Sequence, residues 1–348
     1  MFRSSRGFFG GWVGGGLVAL LALHGSDVRA EAAARMKHEH LSPIGVATPP
    51  GGLNSVLAEA VWRPFTQLTH HPIRAVRWSD DVVLDGSVES DRQWSLALVQ
   101  DDTAQAGCEK KLFVPVAAED RKAGDPEACG TPALSLDFAL AWDSTRFSGQ
   151  PNWSEFWDVA RHPGKRGLRA DPRGTLEIAL LSDGVPPAAV YGMLATPEGL
   201  DHAFRRLSQI RPYVVWWTSA DEAMNILKNG AALMGFAPTN EVQAANALLP
   251  APRFRILWAP VFRINYDWVI PIGETTDLTV AHALLTWASA SEQQNALNSR
   301  LISGPPTTGP DAVTVNMRQL PVFRLNATFW RQHFPAIRTR FDQWLAQH

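Results

Sequence analysis

YVVWWTSADEAMNILKNGAALMGFA, residues 213–237, decides the fold class. Tyr213 to Trp217 is a β-branched and aromatic run of strand length. Asp221 to Lys228 follows as a helix, which Asn229-Gly230 ends because both residues accept the left-handed conformation beyond a helix C-terminus. Ala231 to Ala237 is a second apolar run, again of strand length. Strand, helix and strand in close succession make the unit from which parallel sheets are built.

The same alternation extends outward in both directions. Upstream, Leu200, Ala203, Phe204, Leu207 and Ile210 lie on one helix face. Trp94 to Val99 (WSLALV) and Leu134 to Trp142 (LSLDFALAW) are compact apolar runs, the pattern of parallel strands buried on both faces. Ile73 to Trp78 alternates weakly as a short strand. Leu53, Val56, Leu57, Ala60 and Val61 form a helix stripe that Pro64 bends or ends, and Gly51-Gly52 lets the chain turn tightly into it from a preceding strand. Downstream, Arg255 to Trp258 and Asp267 to Pro271 (DWVIP) are strand candidates. Val280, Ala283, Leu284, Trp287 and Ala288 mark a helix, and Ile337, Phe341, Trp344 and Leu345 a last one. An α/β fold with largely parallel sheets is expected.

Composition narrows the function. Of 348 residues, 45% are apolar, which is enough for a large core and excludes disorder over most of the length. The net charge of −2 removes the strongly basic character of a nucleic-acid-binding protein. Fourteen Trp against three Tyr indicate either packing or contact with a flat ligand. Residues 1–30 read as a cleavable export signal: Arg3 and Arg6 precede an uncharged run from Phe8 to Leu23, and Val28-Arg29-Ala30 places small residues at the cleavage site. That run is short for a membrane-spanning helix. Cys108 and Cys129, the only cysteines, are expected to pair in an oxidising compartment outside the cytoplasm. His38, Glu39 and His40 lie in a Pro-rich lead-in and are not expected to hold a metal. The motifs G-x-x-x-x-G-K-[ST], G-x-S-x-G, H-E-x-x-H and C-x-x-C are all absent. No catalytic residue, metal or cofactor is therefore assigned, and the protein is not expected to be an enzyme.

Several long stretches carry a family resemblance: CGTPALSLDFALAWDSTRF (129–147), NWSEFWDVARHPGKRGLRADPRGTLEIALLSDGV (152–185), GLDHAFRRLSQIRPYVVWWTS (199–219), DWVIPIG (267–273), and FW ahead of RFDQWL (340–345). Together with the Gly51–Phe65 segment they resemble the extracellular solute-binding proteins of polyamine-type (spermidine/putrescine) ABC importers. The resemblance implies a two-lobed periplasmic binding protein-like fold of type II, each lobe a mostly parallel sheet flanked by helices, with a ligand cleft between the lobes. The expected division is 1–30 signal peptide, 31–138 plus 264–348 one lobe, and 139–263 the other. It further implies a monomer that captures a small solute by hinge closure and delivers it to an inner-membrane ABC permease. A polyamine or other cationic amine is the first ligand expectation. A receptor presenting its ligand to a sensor, or a periplasmic enzyme on the same fold, are the alternatives.

Ligands of open α/β sheets bind beyond the carboxyl ends of strands, which selects the candidate residues. Gln100, Asp101 and Asp102 follow WSLALV and offer acids to an ammonium, or a helix cap. Asp171 matches a position where polyamine-binding relatives carry an acid, and equally suits the cap of a helix beginning at Pro172. Trp217 and Ser219 end the YVVWW strand; Trp217 is either a cleft wall or a core residue. Where relatives carry an amine-binding acid before W-V-I-P, this chain has Tyr266, with Asp267 one residue later and therefore on the opposite face of a strand. Ser303 stands at the place of the family's aromatic ahead of Gly304-Pro305, and Pro238-Thr239-Asn240 replaces a different loop.

Overall fold

A computed structural model describes residues 42–78, 94–116, 128–273, 277–301 and 321–347. The export-signal segment 1–30, the His38-Glu39-His40 lead-in and Ser303 lie outside the described residues.

Strands β1 (Ile44–Thr48), β2 (Ile73–Arg77) and β3 (Leu96–Gln100) pair in parallel, with β1 in the middle. Every residue of β1 and β3 is buried, as two covered faces require. A second parallel triplet consists of β5 (Arg166–Arg169), β6 (Val214–Trp217) and β7 (Met234–Pro238), with β5 central. Between the triplets run two long strands, β4 (Thr131–Asp143) and β9 (Val261–Val269), antiparallel to each other and to the triplet strands beside them, β7 and β3. The order is β2-β1-β3-β9-β4-β7-β5-β6, with β8 (Phe254–Ile256) on β4 and β10 (Val322–Arg324) on β9. Asp137 of β4 faces Arg263 of β9 in register and takes two hydrogen bonds from its guanidinium at 2.7 Å each, tying the crossing strands together.

Three sequence expectations are corrected here. LSLDFALAW is not a parallel strand: β4 is antiparallel to all its partners. A run of buried apolar residues reports two covered faces and carries no information about strand direction. DWVIP covers only the end of β9, which begins at Val261. Pro64 does not end its helix. Helix α1 (53–69) passes it by winding Ala58–Trp62 as a wider turn, in which the Arg63 N–H reaches the carbonyl of Ala58.

Helices cover the sheet: α2 (Asp101–Glu109), α3 (Trp153–Trp157), α4 (Pro172–Ser182), α5 (Val190–Leu194), α6 (Pro197–Ile210), α7 (Ala220–Lys228), α8 (Thr239–Ala247), α9 (Leu278–Ser289), α10 (Ser291–Arg300) and α11 (Ala327–Ala346). Most of the tryptophans serve packing; Trp268 and Trp330 are each only 1% exposed. Cys108, near the end of α2, is bonded to Cys129 just before β4, with Cα atoms 5.6 Å apart. This bridge fastens α2 to the start of the longest strand. Helix α11 meets α2 through Arg331–Glu109 at 3.0 Å, and α6 through Arg340–Asp201 and the bond from Trp344 Nε1 to Ser208. No helix among the described residues is long and apolar enough to cross a membrane.

Candidate functional site

The carboxyl ends of β1, β2, β5, β6 and β7 face one cavity of about 380 Å³. Pro49, Pro50 and Leu53, from the turn between β1 and α1, wall one side together with Trp78, which follows β2. Arg169 closes β5, Trp217 closes β6, and Pro238 closes β7 with Asn240 and Glu241 just beyond, so three strand ends supply the other side. Leu136 and Phe138 of β4 and Tyr266 of β9 complete the wall from the crossing strands.

The two sides touch. The Gly52 N–H donates to Glu241 Oε1 at 3.1 Å. Gly51 has φ +142°, where a side chain is strained, and a Cβ there would come within 2.9 Å of the Ala220 Cβ at the start of α7. The turn after β1 thus needs glycine both for its conformation and for its approach to α7. Burial, reinforced by nearby Asp221, raises the Glu241 carboxyl above its ordinary range.

Arg169 and Trp217 are register partners on adjacent parallel strands, so their side chains leave the sheet on the same face. Both carry a buried donor with no partner among the described residues, Arg169 Nη1 and Trp217 Nε1. On the same side, just beyond β7, Asn240 Oδ1 is a buried acceptor in the same condition. Buried polar atoms are normally paired. Three unpaired ones on a single cavity wall mark the positions that a polar ligand or ordered water fills.

Asp171 caps α4, accepting from the Arg173 N–H at 2.8 Å. Its carboxylate also lies 3.4 Å from Arg169 Nη2 and 2.8 Å from Arg173 Nη2. Burial works to raise its pKa, but the two guanidiniums prevail and hold the carboxyl well below the usual range. Asp102 is also buried and accepts from Arg173 Nη1 at 3.2 and 3.1 Å; burial pushes its carboxyl up, against the pull of Arg173.

Of the residues expected from sequence, Asp171, Trp217, Ser219 and Tyr266 lie on the cavity wall. Trp217 is also a core residue, 2% exposed and stacked on Phe138 with ring centroids 6.3 Å apart. Ser219 caps α7 in a capping box with Glu222. Gln100, Asp101, Asp102 and Asp267 are not on the wall. Gln100 is buried at the start of α2, and Asp101 accepts from Asn265 Nδ2 at 3.2 Å, its carboxyl pushed up to about 6 by burial and by Asp267. Asp267 points away from Tyr266, toward Gly130, as the strand pleat requires. Asn240, noted in sequence only as part of a replaced loop, is on the wall, and so are Arg169, Arg173, Glu241 and Arg338, which sequence reading missed. The two arginines flank Asp171 at the end of RGLRADPR, which is the signal that would have found Arg169 and Arg173.

A family profile described as bacterial extracellular solute-binding protein matches residues 86–315. The chain is 27% identical to a gamma-aminobutyric acid-binding protein of Pseudomonas aeruginosa, over 91% of this chain and 94% of that one. The PBP AgtB of A. tumefaciens R10, in complex with agropinic acid, superposes with a TM-score of 0.74 at 19% identity, covering 88% of this chain and 99% of that one. A structure described as a GABA receptor gives a TM-score of 0.70 at 19% identity, over 88% and 98%. The mixed sheet flanked by helices, with its cavity at the strand ends, matches the two-lobed periplasmic binding protein fold, and the chain belongs to the bacterial extracellular solute-binding protein family.

Proposed function

We propose that this protein is the periplasmic binding component of an ABC importer and that its ligand is a small amine that also bears a carboxylate, a zwitterion of the ω-amino acid kind. The observation that carries the reading is the charge of the cavity wall. Arg169, Arg173 and Arg338 line it against two carboxylates, Asp171 and Glu241, and Asp171 is already held by two of those arginines. A polyamine presents several ammonium groups and calls for several unclaimed carboxylates. A zwitterion needs donors for its carboxylate, which Arg169 and Trp217 offer, and acceptors for its ammonium, which Glu241 and Asn240 offer. The relative named for gamma-aminobutyric acid, itself a zwitterion, supports the same chemistry. At about 30 Å³ per water-sized group, the 380 Å³ cavity takes about a dozen non-hydrogen atoms, so a short amino acid would be accompanied by water.

In this reading residues 1–30 direct export. Residues 31–138 with 264–348 form one lobe and 139–263 the other, with α11 lying against both. Hinge closure brings Gly52 to Glu241 and presents a monomer to an inner-membrane permease. The test is a thermal-shift and calorimetric panel of ω-amino acids, larger amino-acid conjugates, putrescine and spermidine. Zwitterions should raise the melting temperature by mass action while the polyamines leave it unchanged. A shift with polyamines and none with zwitterions overturns the reading.

A further inference from the structure

Resting on the zwitterion reading of the cavity, we propose that Arg173 is the specificity-determining residue that bars diamines and polyamines, because its guanidinium fills from within the anionic box that a second ammonium group would enter. The box is assembled from separate parts of the chain. Asp171 Oδ1 accepts from Arg173 Nε at 3.0 Å and Asp171 Oδ2 from Nη2 at 2.8 Å. Both Asp102 oxygens accept from Nη1, as does Thr103 Oγ1 at 3.3 Å. The ring of Phe334, on α11, lies with its centroid 4.3 Å from the guanidinium carbon. Two carboxylates, a hydroxyl and an aromatic face are the chemistry that recognises an organic cation, and the sequence alone offers both acids, beside Asp101, as ammonium ligands or helix caps. Here the cation belongs to the protein.

The local backbone fits that purpose. Arg173 and Gly174 depart from helical geometry inside the first turn of α4, with ψ 124° at Arg173 and φ +84° at Gly174. The Gly174 N–H is held by Glu177 Oε2 at 2.8 Å. Arg173 is thereby placed between Asp171, at the end of the β5 segment, and Asp102, which follows β3 in the other half of the sheet. By formal charge, Arg169 and Arg173 match Asp171 and Asp102 one for one, which leaves no excess of carboxylate in the box. An incoming ammonium meets guanidinium instead of an open carboxylate pair. Without Arg173, Asp171 keeps only Arg169, Asp102 loses the guanidinium it holds, and a cation-sized hollow opens beside the cavity.

The experiment compares wild type, Arg173→Ala, the volume-conserving Arg173→Gln, and the double variant Asp102→Asn/Arg173→Ala. Titrations use 1,4-diaminobutane and methylguanidinium as probes, with circular dichroism to establish folding. Wild type should show no diamine binding. Either folded single variant should bind diamine at least about tenfold more tightly than wild type, with a rise in melting temperature on addition of either probe. The double variant should lose that gain. A folded single variant with no gain overturns the proposal. So does a wild type that binds diamine as tightly as it binds gamma-aminobutyric acid, a measurement independent of how the variants fold. A wild type indifferent to both zwitterions and diamines, with single variants that gain diamine binding, supports the role of Arg173 while removing the zwitterion reading.

Discussion

Glu177→Gln is the substitution whose effect follows most directly from the structure. Glu177 is fully buried in α4. Its Oε1 accepts from Trp330 Nε1 at 2.8 Å and from the Tyr191 hydroxyl at 3.0 Å, and its Oε2 from the Gly174 N–H at 2.8 Å. Burial outweighs these donors and lifts its pKa from 4.5 to about 7. Between those values the unfolded chain has released the proton and the folded chain retains it, so stability falls as pH rises from about 4.5 through 7. At about 1.4 kcal/mol per pKa unit, this shift removes about 3 kcal/mol between pH 4.5 and pH 8. Glutamine is neutral throughout and abolishes that slope, at the cost of setting one amide N–H₂ against a donor. Urea denaturation of both proteins at pH 5, 6, 7 and 8 should show the variant less stable at pH 5 and gaining about 2.5 kcal/mol on wild type by pH 8. Subtracting the two curves cancels the contribution of Asp101, which is shifted in the same direction. Parallel curves across that range would refute the reasoning.

Arg169→Met, which removes the cavity-wall donor at the end of β5, should weaken binding of a carboxylate-bearing ligand by about tenfold or more in calorimetry, as loss of a charged hydrogen bond predicts; unchanged affinity would clear Arg169 of contact with the ligand. Gly51→Ala should lower ligand affinity by about tenfold, because the new methyl meets Ala220 and the backbone there disfavours a side chain. Affinity equal to wild type would mean that this turn does not approach α7 in the bound form. Cys108→Ser opens a bridge across a separation of 21 residues and should cost about 3 kcal/mol in chemical denaturation. Wild-type protein denatured without reductant should titrate no free thiol, and two reactive thiols would contradict the bridge.

Arg173 shows how sequence reading reaches the site and where it stops. Asp171 and Asp102 are visible as acids beyond strand ends, and the choice between cap and ammonium ligand stays open at that stage. The structure adds that Asp171 caps α4 and that both acids hold one guanidinium. That guanidinium sits two positions from Asp171 but 71 from Asp102. No local pattern encodes the longer of these separations. The same holds for Glu241, which meets Gly52 across 189 residues. Tyr266 and Asp267 lie at the opposite limit: their division between the two faces follows from the period of a strand, and the structure places them that way.

Periodicity is a local property, set by the 3.6-residue turn and the two-residue pleat. For that reason the alternation of strands and helices, the helix ended at Asn229-Gly230 and the buried runs WSLALV and LSLDFALAW were all legible from the chain alone. Strand direction, the crossing of β4 and β9, and the charge of the cavity were not. Each depends on which distant segments are brought side by side, and pairing across the sheet is settled by the collective burial of both faces, a quantity that no short window of sequence contains.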